Sequence, residues 1–159
     1  MTTHLVEDVR DKLDHADGLY HRLVLVVGPP SAGKTQALRE IAKCTGEPLV
    51  NVNLELSRYL LDLAERMRPR CVQRLLERIV TETERNIVLL DNIEILFDVK
   101  LQQDPLRLLQ GLSRHRTVAA AWNGLIEDSH ICYAAPGHPE HRRYSLDGVL
   151  VASAGAVVT

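Results

Sequence analysis

Hydrophobic residues along the chain alternate between continuous apolar runs, typical of buried strands, and the wider spacing of amphipathic helices. Five segments are predicted as strands: 23–27, 48–54, 87–90, 117–122 and a weaker one at 149–152. Five others are predicted as helices: 5–16, 34–43, 59–67, 72–80 and a stretch that begins at Pro105 with Asp104 as its N-cap. Strands that alternate with helices indicate a mainly parallel sheet covered on both faces. The predicted fold class is therefore α/β, a three-layer sandwich around a five-stranded sheet.

Length and composition narrow the class of protein. A chain of 159 residues predicts one domain, with an N-terminal helix in residues 1–20 and a core in residues 21–152. Hydrophobic residues at 45% and charged residues at 25% are typical of a soluble globular protein. The net charge of −2 excludes a strongly basic protein that coats nucleic acid, although it leaves a local basic patch open.

Neither membrane insertion nor secretion is expected. No apolar run approaches the about 18 residues that a membrane span requires, and the charged N-terminus lacks a signal sequence. Three scattered cysteines, Cys44, Cys71 and Cys132, predict reduced thiols and a cytoplasmic location.

The clearest motif lies between the first predicted strand and the helix that follows it. The sequence Gly28-Pro29-Pro30-Ser31-Ala32-Gly33-Lys34-Thr35 fits G-x-x-x-x-G-K-[ST], the Walker A pattern of P-loop proteins, and Gln36 continues the helix. Such a loop aims backbone N–H groups at phosphate oxygens beside a helix N-terminus. Lys34 is expected to reach the β- and γ-phosphates and Thr35 to bind Mg²⁺. ATP is favoured over GTP because no N-K-x-D motif is present.

A second acidic motif follows the strand predicted at 87–90. Asp91 is the candidate Mg²⁺-binding carboxylate, the Walker B residue. Where many P-loop ATPases place a catalytic glutamate after it, this chain has Asn92, and an amide cannot accept a proton from water. Glu94 is the nearest substitute base, unless it is simply a solvated carboxylate at a helix start. Slow hydrolysis is therefore expected.

Two further features match the order of residues in the AAA+ ATPases. Asn123, after the fourth strand, resembles the residue called sensor 1, although an Asn-Gly turn would also explain it. Arg114 and Arg116, before that strand, are candidates for an arginine finger that reaches a neighbouring subunit's nucleotide. Solvated loop arginines are the alternative.

Two other clusters of polar side chains are not interpreted as binding sites. His130, Cys132, His138 and His141 do not have the spacing of common zinc sites. The arginines around Pro69, at positions 66, 68, 70 and 74, are interpreted as a solvated face rather than a contact to DNA.

Longer stretches resemble the BrxF family, the small P-loop proteins of type 3 BREX bacteriophage-exclusion systems. These stretches are 51–63, 89–98, 104–124 and 135–144, together with the phosphate loop. The resemblance implies a role in bacterial antiviral defence beside a BrxC-type ATPase, a DNA methyltransferase, a PglZ-type protein and a helicase.

The chain also departs from longer AAA+ proteins, since only seven residues follow position 152. The sequence therefore predicts an AAA+-like core without a helical lid, whose nucleotide site is completed by a neighbour in a homo-oligomer or by a BREX partner. The leading interpretation is a slow, Mg²⁺-dependent ATPase. The alternatives are a non-hydrolysing, nucleotide-gated assembly module and a small-molecule kinase.

Overall fold

The computed structural model describes residues 2–154, and two β-sheets organise this part of the chain. The strands are β1 (Leu23–Gly28), β2 (Leu49–Asn51), β3 (Ile87–Asp91), β4 (Thr117–Asn123), β5 (Leu125–Glu127), β6 (His130–Tyr133), β7 (Arg142–Ser145) and β8 (Leu150–Ser153). Five of them form a parallel sheet in the order β2-β3-β4-β1-β8. This confirms the α/β fold with a five-stranded parallel sheet.

Helices cover both faces of the parallel sheet. They are α1 (Thr2–Ala16), α2 (Lys34–Thr45), α3 (Val52–Leu61), α4 (Arg68–Thr81) and α5 (Pro105–Leu112), with short 3₁₀ turns at 65–67, 93–97 and 99–101. Strand β1 contributes to two separate apolar clusters: Leu23, Leu25 and Val27 pack with α3, α4 and α5, whereas Val24 and Val26 pack with α1 and α2. The alternation of side chains along a strand thus produces a three-layer sandwich. None of the helices in residues 2–154 is long and apolar enough to cross a bilayer.

The parallel register brings the carboxyl ends of the central strands to one edge. Gly28 at the end of β1 lies beside Asn123 at the end of β4, and Asn51 at the end of β2 lies beside Asp91 at the end of β3. Ligands of open α/β sheets bind outside this edge. The fold therefore gathers the polar residues that follow the strands.

A small antiparallel sheet of β5, β6 and β7 was not expected from the sequence. It docks on the parallel sheet through Trp122, which is fully buried and donates its indole N–H to the Cys132 carbonyl at 3.2 Å. Phe97 stacks on Tyr133 with ring centroids 3.5 Å apart and meets Trp122 edge-on. These aromatic contacts join the second sheet to the apolar core.

Several predicted boundaries were wrong. The strand expected at 48–54 ends at Asn51, whose side chain accepts the Leu54 N–H at 3.0 Å and caps α3. Helix α3 consequently occupies 52–61, rather than the predicted 59–67. Pro69 lies in the first turn of α4, where its missing N–H has no helical partner to lose.

The contact between the two sheets predicts that Gly124 is intolerant of a side chain. A Cβ there would overlap the Cys132 carbonyl and the Trp122 ring, whereas a Cβ at Gly111 in α5 meets nothing. We expect Gly124→Ala to lower the free energy of unfolding by about 1–3 kcal/mol. Gly111→Ala should raise it by up to about 1 kcal/mol. Urea denaturation of both variants tests this, and equal stability of the two would show that the sheets are not held this closely.

Candidate functional site

The loop between β1 and α2 has the local geometry that the motif predicts. Ser31 and Gly33 adopt positive φ angles of 67° and 91°, and Gly33 stands at the N-cap of α2. The first helical hydrogen bond runs from the Ala37 N–H to the Gly33 carbonyl at 3.0 Å. The N–H groups of residues 34–36 therefore have no carbonyl partner within the helix. Together with the helix dipole, they suit an anion.

Lys34 is folded back over this loop. Its side chain is 5% exposed, and its Nζ donates to the Gly28 carbonyl at 2.7 Å and to the Pro29 carbonyl at 2.6 Å. Burial lowers the pKa of Lys34, an effect that Glu94 and Asp91 oppose. A buried ammonium held only by neutral carbonyls is available to a stronger, anionic acceptor.

Asp91 and Asn92 form the turn at the end of β3. Asp91 is buried, and its Oδ1 accepts the backbone N–H of Asn92 at 2.9 Å. Asn92 is in the left-handed conformation, with φ 55°, and its carbonyl accepts the Asn53 N–H at 3.1 Å. Two hydrogen bonds thus fix the backbone of this turn, one with the Asp91 side chain and one with the backbone of α3.

Glu94 and Asn123 are directly paired. The Asn123 Nδ2 donates to the Glu94 Oε1 at 2.9 Å, which joins the end of β4 to the turn after β3. Burial raises the pKa of Glu94 and the Asp91 charge adds to this, while Lys34 and the Asn123 hydrogen bond act in the opposite direction. A carboxyl with a raised pKa beside a phosphate-type loop is suited to proton transfer.

A cleft of about 680 Å³ brings most of the predicted residues together. It is lined by Pro30, Ser31, Gly33, Lys34, Thr35, Gln36, Arg39, Asp91, Asn92, Glu94, Ala121 and Asn123. Gly28 and Pro29 hold Lys34 through their carbonyls, and Ala32 continues the loop. The Thr35 hydroxyl and the Asp91 carboxylate provide oxygen ligands of the kind that Mg²⁺ prefers.

Arg39 was missed by sequence reasoning. It lies on α2, four residues after Thr35, and its exposed side chain lines the same cleft. The helical i, i+4 spacing from Thr35 is the signal that would have found it.

Arg114 and Arg116, predicted as arginine fingers for a neighbouring subunit's nucleotide, lie outside the cleft of their own chain. Both precede β4, at the opposite end of the strand from Asn123. Arg116 is buried, and its guanidinium donates to Glu77 at 2.8 Å and to the Leu112 carbonyl at 2.9 Å. These hydrogen bonds hold the Arg116 guanidinium within its own chain, so they argue against contact between Arg116 and a neighbouring subunit's nucleotide. Arg114 is exposed and packs on the Tyr20 ring.

The histidine and cysteine pattern at 130–141 does not assemble a metal centre. Across the described range, 2–154, no group of three or more His, Cys, Asp or Glu side chains is arranged to hold a metal ion. The His141 ring instead contacts the Ala134 carbonyl at 3.1 Å.

Comparison with known families assigns the chain to one of them. The model of the AAA family, the ATPase family associated with various cellular activities, matches residues 24–118. The chain belongs to the AAA family. The matched segment includes the phosphate loop, Asp91 and Glu94, and it ends before Asn123.

Similar solved structures include PCH-2 from C. elegans, at 14% identity and a TM-score of 0.46 over 99% of this chain and 42% of that one. A katanin structure concerned with self-assembly matches at 23% identity and a TM-score of 0.38, over 64% of this chain and 33% of that one. The AAA chain thus spans less than half the length of either protein. No curated protein matches it.

The geometry around Glu94 yields a test of its role. If Glu94 accepts the proton of the attacking water, Glu94→Gln should reduce steady-state ATP hydrolysis about a hundredfold or more. Asn92→Glu, which adds a carboxylate beside Asp91, should raise the rate. Glu55→Gln, a change at a half-buried glutamate on α3 outside the cleft, is the control. A rate that neither Glu94→Gln nor Asn92→Glu alters would exclude both positions from the chemistry.

Proposed function

We propose that this AAA protein binds Mg²⁺–ATP in the 680 Å³ cleft and hydrolyses it slowly. The observation that carries the proposal is the convergence of Lys34, Thr35, Asp91, Glu94 and Asn123 on one cleft beside the N-terminus of α2. A phosphate loop, a buried carboxylate and a polar residue after a neighbouring strand are the parts from which P-loop phosphoryl transfer is built.

Each side chain has a distinct role in this proposal. Lys34 would exchange the carbonyls of Gly28 and Pro29 for phosphate oxygens, and Thr35 and Asp91 would hold Mg²⁺, whose charge would offset that of the phosphates. Glu94 orients the attacking water and accepts its proton, and Asn123 positions Glu94 through their 2.9 Å hydrogen bond.

Slow turnover follows from two features of the turn after β3. Asn92 occupies the position next to Asp91 and has no basic atom to accept a proton. Glu94 has such an atom, but one carboxylate oxygen already accepts a hydrogen bond from Asn123. These same features favour the second candidate function, a nucleotide-gated assembly module that does not hydrolyse ATP.

Removal of the Lys34 ammonium tests nucleotide binding. Lys34→Ala should weaken ATP binding about tenfold to a hundredfold, as expected for charged hydrogen bonds to phosphate. The free energy of unfolding should change little, because the two hydrogen bonds to carbonyl groups only offset the hydration that the buried Lys34 ammonium loses. Lys43→Ala, an exposed change on the same helix, should bind ATP like the wild type. Isothermal titration with ATP and Mg²⁺ provides the measurement, and unchanged affinity in a folded Lys34→Ala protein would refute the proposal.

We further propose that the protein forms a homo-oligomer that ATP stabilises. The end of α3 and the turns at 65–67 and 99–101 expose Leu61, Met67 and Val99, and Leu61 is 76% exposed. Leu61 lines a groove that also carries Glu65, Arg66, Asp98 and Lys100, and Met67 and Val99 are the chain neighbours of these groove residues. Apolar residues with charges of both signs suit contact between two copies of one chain.

Sedimentation over a range of protein concentrations tests this assembly. Leu61→Ser should weaken self-association without loss of ATP binding, and ATP should tighten association of the wild type by mass action. Leu19→Ser, at an exposed leucine outside the groove, serves as the control. A wild-type monomer at tens of micromolar protein, with and without Mg²⁺–ATP, would contradict the proposal.

The biological setting that we propose is antiviral defence. The resemblance of four stretches outside the phosphate loop to the BrxF family supports a role in a BREX system, with the ATPase, methyltransferase, PglZ-type and helicase components as partners. Loss of phage restriction in cells that carry Lys34→Ala, but not Lys43→Ala, is the corresponding expectation.

A further inference from the structure

A second cleft lies between α4 and α5, away from the nucleotide cleft. It has a volume of about 590 Å³ and ends at Arg114 and His115, in the turn that leads into the amino end of β4. Its walls carry Arg70 and Arg74, one helical turn apart on α4. None of these residues lines the nucleotide cleft at the carboxyl edge.

The charge of this second cleft is opposite in sign to that of the whole chain. Arg70, Arg74 and Arg114 are exposed, and none of the three forms an ion pair with any residue in the described range. One carboxylate, that of Glu77, lines the cleft, and Arg116 already neutralises it at 2.8 Å. Three unneutralised guanidinium groups therefore face solvent on a protein whose net charge is −2. Such a surface attracts a polyanion.

An exposed aromatic side chain adjoins these charges. Tyr20 is 70% exposed, and the Arg114 guanidinium lies over its ring at 5.2 Å. The His21 ring meets Tyr20 edge-on at 4.8 Å, and the Arg22 Nη2 donates to the Arg114 carbonyl at 3.4 Å. A flat ring open to solvent beside arginines is a surface on which a nucleobase can stack.

We propose that Arg70, Arg74, Arg114, His115 and Tyr20 form a binding surface for single-stranded nucleic acid. The guanidinium groups contact successive phosphates, for which their planar donors are suited, and Tyr20 stacks on a base. An acidic protein segment would satisfy the arginines but would leave the exposed ring unused. This surface also gives Arg114 a partner other than a neighbour's nucleotide.

Fluorescence anisotropy of the full chain with a labelled oligothymidine, longer than a site of about 4–16 nucleotides, tests the proposal. The titration is repeated between about 50 and 200 mM salt. Arg70→Ala combined with Arg74→Ala removes two phosphate contacts, so the slope of log affinity against log salt should fall by about 1.4. Tyr20→Ala should weaken binding about fivefold or more, while Tyr20→Phe should keep it.

Matched controls separate this surface from general charge effects. Arg10→Ala combined with Arg85→Ala removes the same charge from exposed arginines that lie outside the cleft and form no ion pair in the described range, and it should leave the affinity nearly unchanged. All variants change exposed side chains, so each should keep the wild-type unfolding midpoint and ATP affinity.

Four results would overturn the proposal. The first is no binding by the wild type at tens of micromolar protein in low salt, and the second is equal loss in the control variant. The third is tighter binding to duplex than to single-stranded DNA, which would refute stacking on Tyr20. The fourth concerns the variant that combines Arg70→Ala with Arg74→Ala. If this variant binds oligothymidine like the wild type but no longer self-associates, the cleft is a contact between copies of the chain.

Discussion

The parallel pairing of β1, β3 and β4 is the constraint on which the rest of the site depends. It places Gly28 beside Asn123 and aligns Leu90 with Ala120, so the loop after β1 and the turn after β3 emerge at the same edge. The small side chains of Ala119 and Ala121 pack in the cluster that contains Ala37 of α2. A closely packed α2 positions its N-terminus, with Lys34 and Thr35, directly over the strand ends.

The charged groups at this edge of the sheet interact with one buried ammonium, that of Lys34. The Lys34 ammonium feels the charges of Asp91 and Glu94 but forms an ion pair with neither, and it donates hydrogen bonds to two backbone carbonyls. Burial lowers the pKa of Lys34 and raises the pKa of Glu94, so desolvation disfavours both charges before a ligand arrives. A phosphate chain accompanied by a divalent cation would supply the opposite charge that each group lacks. The site is therefore suited to a ligand that carries both negative and positive charge.

The sequence predicted the parts of the fold that local patterns determine. Buried strands appear as unbroken apolar runs, and the phosphate loop has a motif of fixed spacing between a strand and a helix. The small sheet was not predicted because its strands are short, half-exposed and separated by turns, and because it is held by aromatic contacts such as the stacking of Tyr133 on Phe97, a residue distant in sequence. The burial of Arg116 was not predicted for a similar reason, since its partner Glu77 is 39 residues away along the chain. The pairing of Glu94 with Asn123 likewise depends on register, which no local pattern reveals.

A crystal structure with Mg²⁺ and a non-hydrolysable ATP analogue would show whether the cleft beside α2 binds the phosphates. In that complex the Lys34 Nζ should leave the carbonyls of Gly28 and Pro29 for the β- and γ-phosphates. Thr35 and Asp91 should then lie beside the metal, and Glu94 and Asn123 should flank the terminal phosphate. A complex in which the phosphates lie elsewhere, with Lys34 still bonded to those two carbonyls, would contradict the proposed ATP site.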